Sequence, residues 1–105
     1  MGKILREIEY EELSEVLQNY LDKGETKEAL EYCEVAAQAG NPYGYMFMAF
    51  IYEEGHGSVE IDYKKALCYY KEAERLGCEV KQDVVRLEQL LYRIEQRILN
   101  DFENL

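Results

Sequence analysis

Glu25-Thr26-Lys27-Glu28-Ala29-Leu30-Glu31-Tyr32-Cys33-Glu34-Val35-Ala36-Ala37-Gln38-Ala39-Gly40 aligns without a gap onto Asp62-Tyr63-Lys64-Lys65-Ala66-Leu67-Cys68-Tyr69-Tyr70-Lys71-Glu72-Ala73-Glu74-Arg75-Leu76-Gly77, at an offset of 37 residues. Ala29 meets Ala66, Leu30 meets Leu67, Tyr32 meets Tyr69, Ala36 meets Ala73 and Gly40 meets Gly77. These positions recur at helical spacing. Alanine lets a neighbouring helix approach, leucine and tyrosine fill the groove beside it, and glycine supplies the left-handed stop that ends a helix. An internal repeat of this length marks a chain built from stacked helix pairs.

Outward from the repeat, Gly40-Asn41-Pro42 reads as a helix stop, an N-cap and a proline at the first helical position. The helix it opens closes at Gly55, and a loop leads to Asp62 as the cap of the next helix. Upstream, Leu13, Val16, Leu17, Tyr20 and Leu21 form one apolar stripe, closed by Asp22-Lys23-Gly24. Ile4, Leu5 and Ile8 lie off that stripe, so either the helix breaks near residues 9 to 11 or a second face covers something else. Downstream, Val80, Val84, Leu87, Leu91, Ile94, Ile98, Phe102 and Leu105 recur at spacings of three and four residues. They define an amphipathic helix of about 35 Å, against about 20 Å for each repeat helix, so it overhangs its neighbours. The pattern predicts five helices near 11–22, 26–39, 42–54, 62–76 and 80–102, with no strand.

With 105 residues, 48% apolar composition and one proline, the chain suits a single folded unit. Within it, residues 1–24 are an N-terminal helix, 25–78 the repeat region and 79–105 a C-terminal capping helix. No stretch is apolar enough for a membrane span, and the start lacks the features of a signal peptide. An odd count of three cysteines without a CxxC pair argues against a disulfide framework or a zinc site. A cytoplasmic protein is expected, with no cofactor. The charge is lopsided: residues 1–63 hold 14 acids and 4 bases, while residues 64–105 hold 8 of each. Such a field repels nucleic acid and anionic membrane and favours a basic protein surface, although acidity also serves solubility alone.

The run Ala36-Ala37-Gln38-Ala39-Gly40-Asn41, then Met48-Ala49-Phe50-Ile51-Tyr52-Glu53-Glu54-Gly55-His56-Gly57, then Asp62-Tyr63-Lys64-Lys65-Ala66-Leu67-Cys68-Tyr69-Tyr70-Lys71-Glu72-Ala73 and Gly77, resembles a Sel1-like repeat. The resemblance covers residues 25–78. It implies an all-α fold related to tetratricopeptide repeats: antiparallel helix pairs stacked into a right-handed α/α superhelix, used by adaptors and scaffolds that carry no catalytic residues. The loop near Ser58 holds one inserted residue. Pro42 and Gly44 stand where the family often has alanine, and Ala49 where it often has glycine, which read as tolerable exchanges among small residues. After Gly77 the pattern is lost, because Lys81 and Arg86 fall where small residues are needed.

His56 is the single histidine, in a Gly-His-Gly loop, and reads as a solvated loop residue. Acid pairs such as Glu11-Glu12 and Glu53-Glu54 come without a nucleophile or a phosphate-binding loop, so no catalytic site is expected. Tyr32, Tyr52, Tyr69 and Tyr70 fall on core positions of the repeat. One feature stands apart. Tyr43, Phe47 and Phe50, followed by Glu54, form a second apolar stripe on the 42–54 helix at spacings of four, three and four. The resemblance places the first helix of each pair on the concave surface. Tyr43, Phe47 and Phe50 would then be partner anchors, with Glu53 and Glu54 favouring a basic or amphipathic protein ligand. The alternative is that the C-terminal helix folds back over the stripe and makes it ordinary core.

Two functions follow as expectations: an adaptor that holds a peptide or helix of a partner, or an acidic inhibitor, such as an immunity protein or antitoxin, that neutralises a basic toxin or nuclease. A homodimer through the overhanging C-terminal helix is compatible with either.

Overall fold

The computed structural model describes residues 4–105. The first three residues of the segment read above for a leader lie outside them. A short 3-10 turn, Leu5–Glu7, precedes five helices: α1 (Tyr10–Asp22), α2 (Thr26–Gln38), α3 (Pro42–Glu54), α4 (Tyr63–Arg75) and α5 (Lys81–Glu103). The ends lie within a residue of those the caps and glycines predict. No strand occurs among the described residues; His56 and Val59 form one isolated bridge that tightens the α3–α4 loop. No helix here is long and apolar enough to cross a membrane.

Local signals act as their chemistry requires. The Asn41 side chain accepts from the Tyr43 amide at 3.0 Å and caps α3, and Asp62 accepts from the Lys65 amide at 3.0 Å and caps α4. Gly40 and Gly77, the matched stops of the repeat, both adopt positive φ, 96° and 104°. The chain does break before α1: Glu9 is extended, and the 3-10 turn packs separately against α2. Asn41 fastens that segment, donating from Nδ2 to the carbonyls of Leu5 at 2.8 Å and Ile8 at 2.9 Å.

Each helix packs on the next, and α1 also reaches α3. The core takes Leu13 and Leu17 from α1, Ala29, Cys33 and Ala37 from α2, Met46, Met48, Ala49 and Ile51 from α3, and Ala66, Tyr70 and Ala73 from α4. Ala36 and Ala73, matched in the repeat, are both fully buried. At Gly44 the helices α2 and α3 come into close contact. A Cβ added to Gly44 would stand 2.6 Å from the Cys33 carbonyl oxygen and 2.6 Å from the Ala37 amide nitrogen. Gly44 is therefore the contact that sets the spacing of these helices, and not a position open to alanine. Cys33 beneath it is sealed, its thiol pushed up to about 12 by burial.

The last helix is covered over only part of its length. Val80, Val84 and Leu87 are buried where α5 packs on α4, and Leu90 and Leu91 are half-buried. From Tyr92 onward every residue is exposed, and the molecule extends to 63 × 30 × 18 Å.

Candidate functional site

The aromatic stripe of α3 is covered in part, by α1 and not by α5. Tyr10 stacks on Phe47 with ring centroids 5.3 Å apart and meets Tyr43 edge-on at 5.7 Å. Phe47 then contacts Phe50 edge-on at 5.7 Å, and Phe50 contacts Tyr70 in the same manner at 5.7 Å. Such pairs contribute roughly 0.5–1.5 kcal/mol each beyond their burial. Phe47, at 9% exposure, is thus a core residue; the expectation of an accessible anchor fails there because Tyr10 lies over the ring. Tyr43 and Phe50 are half-buried, each with part of its surface open.

Between α1 and α3 a cleft of about 170 Å³ remains. Its floor is Leu17, Leu21, Phe47, Phe50 and Ile51, and its rim is Ser14, Gln18, Glu54 and His56. That volume is below the roughly 300–1,000 Å³ of small-molecule pockets and suits one or two apolar side chains. A larger hollow of about 870 Å³, where the end of α4 meets the start of α5, is an open trough lined largely by charged and amide side chains, including Glu74, Glu79, Lys81 and Gln82.

The two glutamates of the stripe differ. Glu54 is exposed at the rim and pairs with His56 Nε2 at 3.2 Å. Glu53 is engaged inside the protein: it accepts from the Tyr70 hydroxyl at 2.8 Å and from both terminal nitrogens of Arg86, one of them at 3.0 Å. Arg86 also donates to Asp83 at 3.0 Å. The Arg86 guanidinium holds the Glu53 carboxyl below its usual range; partial burial opposes this and the Tyr70 hydroxyl assists it. Burial, then the bond to Glu53, pushes the Tyr70 phenol upward. Glu53 therefore ties α3 to α4 and α5, and its bonding capacity is directed inward.

Sequence reading missed Tyr10, although it precedes Leu13 and Leu17 by three and seven residues and so continues the α1 stripe. It also missed that Arg86 meets the half-buried carboxylate of Glu53. Elsewhere Tyr52, Tyr69 and Tyr45 form a stacked row, with centroids 5.9 and 6.2 Å apart, and Lys65 sits 4.6 Å over Tyr52. Among the described residues no group of three His, Cys, Asp or Glu side chains is placed to hold a metal ion. No protein-family model, curated protein sequence or solved structure matches the chain.

Proposed function

We propose that this chain is a non-catalytic protein-interaction module of the Sel1-like, tetratricopeptide-related type, and that its α1–α3 cleft receives apolar side chains from a basic, amphipathic segment of a partner protein. The observation that carries the reading is the cleft itself: an apolar floor of Leu17, Leu21, Phe47 and Phe50, sized for a side chain and rimmed by Glu54. It lies in the half of the chain that holds the whole net charge of −10. Phe50 is the anchor, Phe47 supports it from below and Glu54 meets the partner's basic groups, while Tyr43 packs on Tyr10 outside the cleft lining. Glu53 contributes by holding the frame.

A photo-crosslinking residue at Gln18, on the rim, should capture a partner from cell extract, while the same residue at Lys71, exposed on α4, should not. Phe50→Ala should then weaken binding of the captured partner by about 2 kcal/mol. Equal capture from both positions would sink the reading.

The acidic-inhibitor reading rests on a different observation, the exposure of Glu11, Glu12 and Glu15 along α1. It reverses the ranking: Glu11→Gln and Glu15→Gln would then cost more affinity than Phe50→Ala, most of all at low salt.

A further inference from the structure

The uncovered part of α5 carries an apolar row whose spacing reads the same in both directions. Leu91 and Ile94 stand seven and four residues before Ile98, and Phe102 and Leu105 stand four and seven after it. Ile94 is 37% exposed, Ile98 62% and Phe102 72%, so the row meets solvent. An amphipathic helix needs periodicity, but it does not need symmetry about one residue. A second identical helix, turned end for end about Ile98, matches the row: Ile98 meets the partner's Ile98 and Ile94 meets the partner's Phe102, while Leu91 faces the partner's Leu105 just past the last helical residue, Glu103.

On one edge beside the row the same alignment sets each Asp101 near arginines of the partner, with the two Arg97 side chains also about 3 Å apart along the axis. Arg97 and Asp101 flank it on one edge, with Arg93 behind them. In an antiparallel pair like edges face each other. Asp101 then falls about 3 Å along the axis from the partner's Arg97 and about 3 Å from the partner's Arg93, and the contact occurs twice. On the other edge Glu95 and the partner's Glu95 are about 9 Å apart along the axis, near the screening length at physiological salt. A parallel pair is blocked, because the partner's α5 would occupy the space where α4 packs on Val84 and Leu87.

We propose that residues 91–105 pair with the same segment of a second copy of this chain, antiparallel, with the two-fold axis at Ile98. The helical overlap, residues 93–103, is about 15 Å long and lies wholly in the part of α5 that the chain's own body leaves exposed. Five apolar side chains per copy make an interface below the standard size, which places it among weak, reversible associations. The proposal is independent of the cleft between α1 and α3, which lies on other helices.

Sedimentation equilibrium from a few to several hundred micromolar should show the mass rising from 12.4 kDa toward twice that value. Ile98→Glu should shift the association by at least about tenfold with an unchanged circular dichroism spectrum and melt, since the side chain is largely exposed in the single chain. Asp101→Arg should weaken it and Glu95→Arg should not, which separates the two edges. In a Cys68→Ser background, Ile98→Cys should form a disulfide with itself, whereas Ile94→Cys should cross-link only when mixed with Phe102→Cys. A single-chain mass at every concentration would overturn the proposal and leave the face to a different protein. Association that survives Ile98→Glu, or self-cross-linking of Ile94→Cys as fast as that of Ile98→Cys, would overturn it too.

Discussion

At Gly44 one absent methyl group decides how close two helices come. The sequence invites alanine there, since helices favour it by about 1 kcal/mol over glycine. The structure reverses the sign, because the added Cβ would meet backbone atoms of α2, which cannot swing aside as a side chain can. Gly44→Ala should therefore lower stability by at least about 1–3 kcal/mol in chemical denaturation, and an equal or higher midpoint would show that α2 and α3 do not approach as described. Glu53 offers a second test. Its folded-state carboxyl is held below the ordinary glutamate value. The stabilisation from its charge is thus full above that ordinary value and is lost as pH falls through the lowered one. Glu53→Gln should melt below the parent near pH 7, and the gap should narrow once pH drops under the ordinary glutamate range; a gap that stays constant down to pH 3 would contradict this. Neither residue's role was legible in the sequence. Gly44 looked like one small residue among several, and Glu53 looked like the twin of Glu54, because partners 17 and 33 residues away, Tyr70 and Arg86, are brought in only by the fold.

Among the elements, the sequence was most readable where local chemistry and packing agree. The stops at Gly40 and Gly77 and the caps at Asn41 and Asp62 place helix ends within a residue, since each acts through its own backbone neighbourhood. The α3 stripe was less readable because a helix with apolar residues on two faces does not say which neighbour covers the second one, and Tyr10 took that place instead of α5. The α5 stripe shows the same ambiguity in another form: one continuous row is half core and half uncovered. The two halves should behave differently on truncation. Ending the chain after Leu90 leaves Val80, Val84 and Leu87 in place and should keep a cooperative melt close to the parent's at low protein concentration. Ending it after Gly77 removes all three, each worth about 1.5–3 kcal/mol when fully buried, and should leave a loosely packed or aggregating chain. If the shorter chain melts cooperatively as a monomer, α5 is not the cap that the packing against α4 makes it.

For the molecule as a whole, charge and shape are distributed unevenly along the same axis. Residues 1–63 carry the net −10, whereas residues 64–105 are neutral and include α5 with its uncovered end. Ion pairs such as Arg86 with Glu53 and Asp83, and Arg75 with Glu72, draw their bases from the neutral half. The exposed acids of α1 and α2, among them Glu11, Glu15, Glu28, Glu31 and Glu34, therefore share the acidic half with few bases in its sequence to offset them. Repulsion of this kind acts over the screening length, about 30 Å at 10 mM salt and about 8 Å at 150 mM, and the smallest extent of the molecule is 18 Å. Salt should consequently reach the repulsion across the acidic half before it reaches the contact pair at Glu53, which is partly shielded from water. Raising sodium chloride between those two concentrations at neutral pH should raise the melting temperature, measured at low protein concentration so that association does not intervene. The same addition should slow the encounter with a basic partner, so stability and association rate should move in opposite directions in one titration. A melting temperature that falls with salt would mean that attraction between surface charges outweighs repulsion in this fold, and the acidic half could not then be the field that draws a basic partner to the cleft.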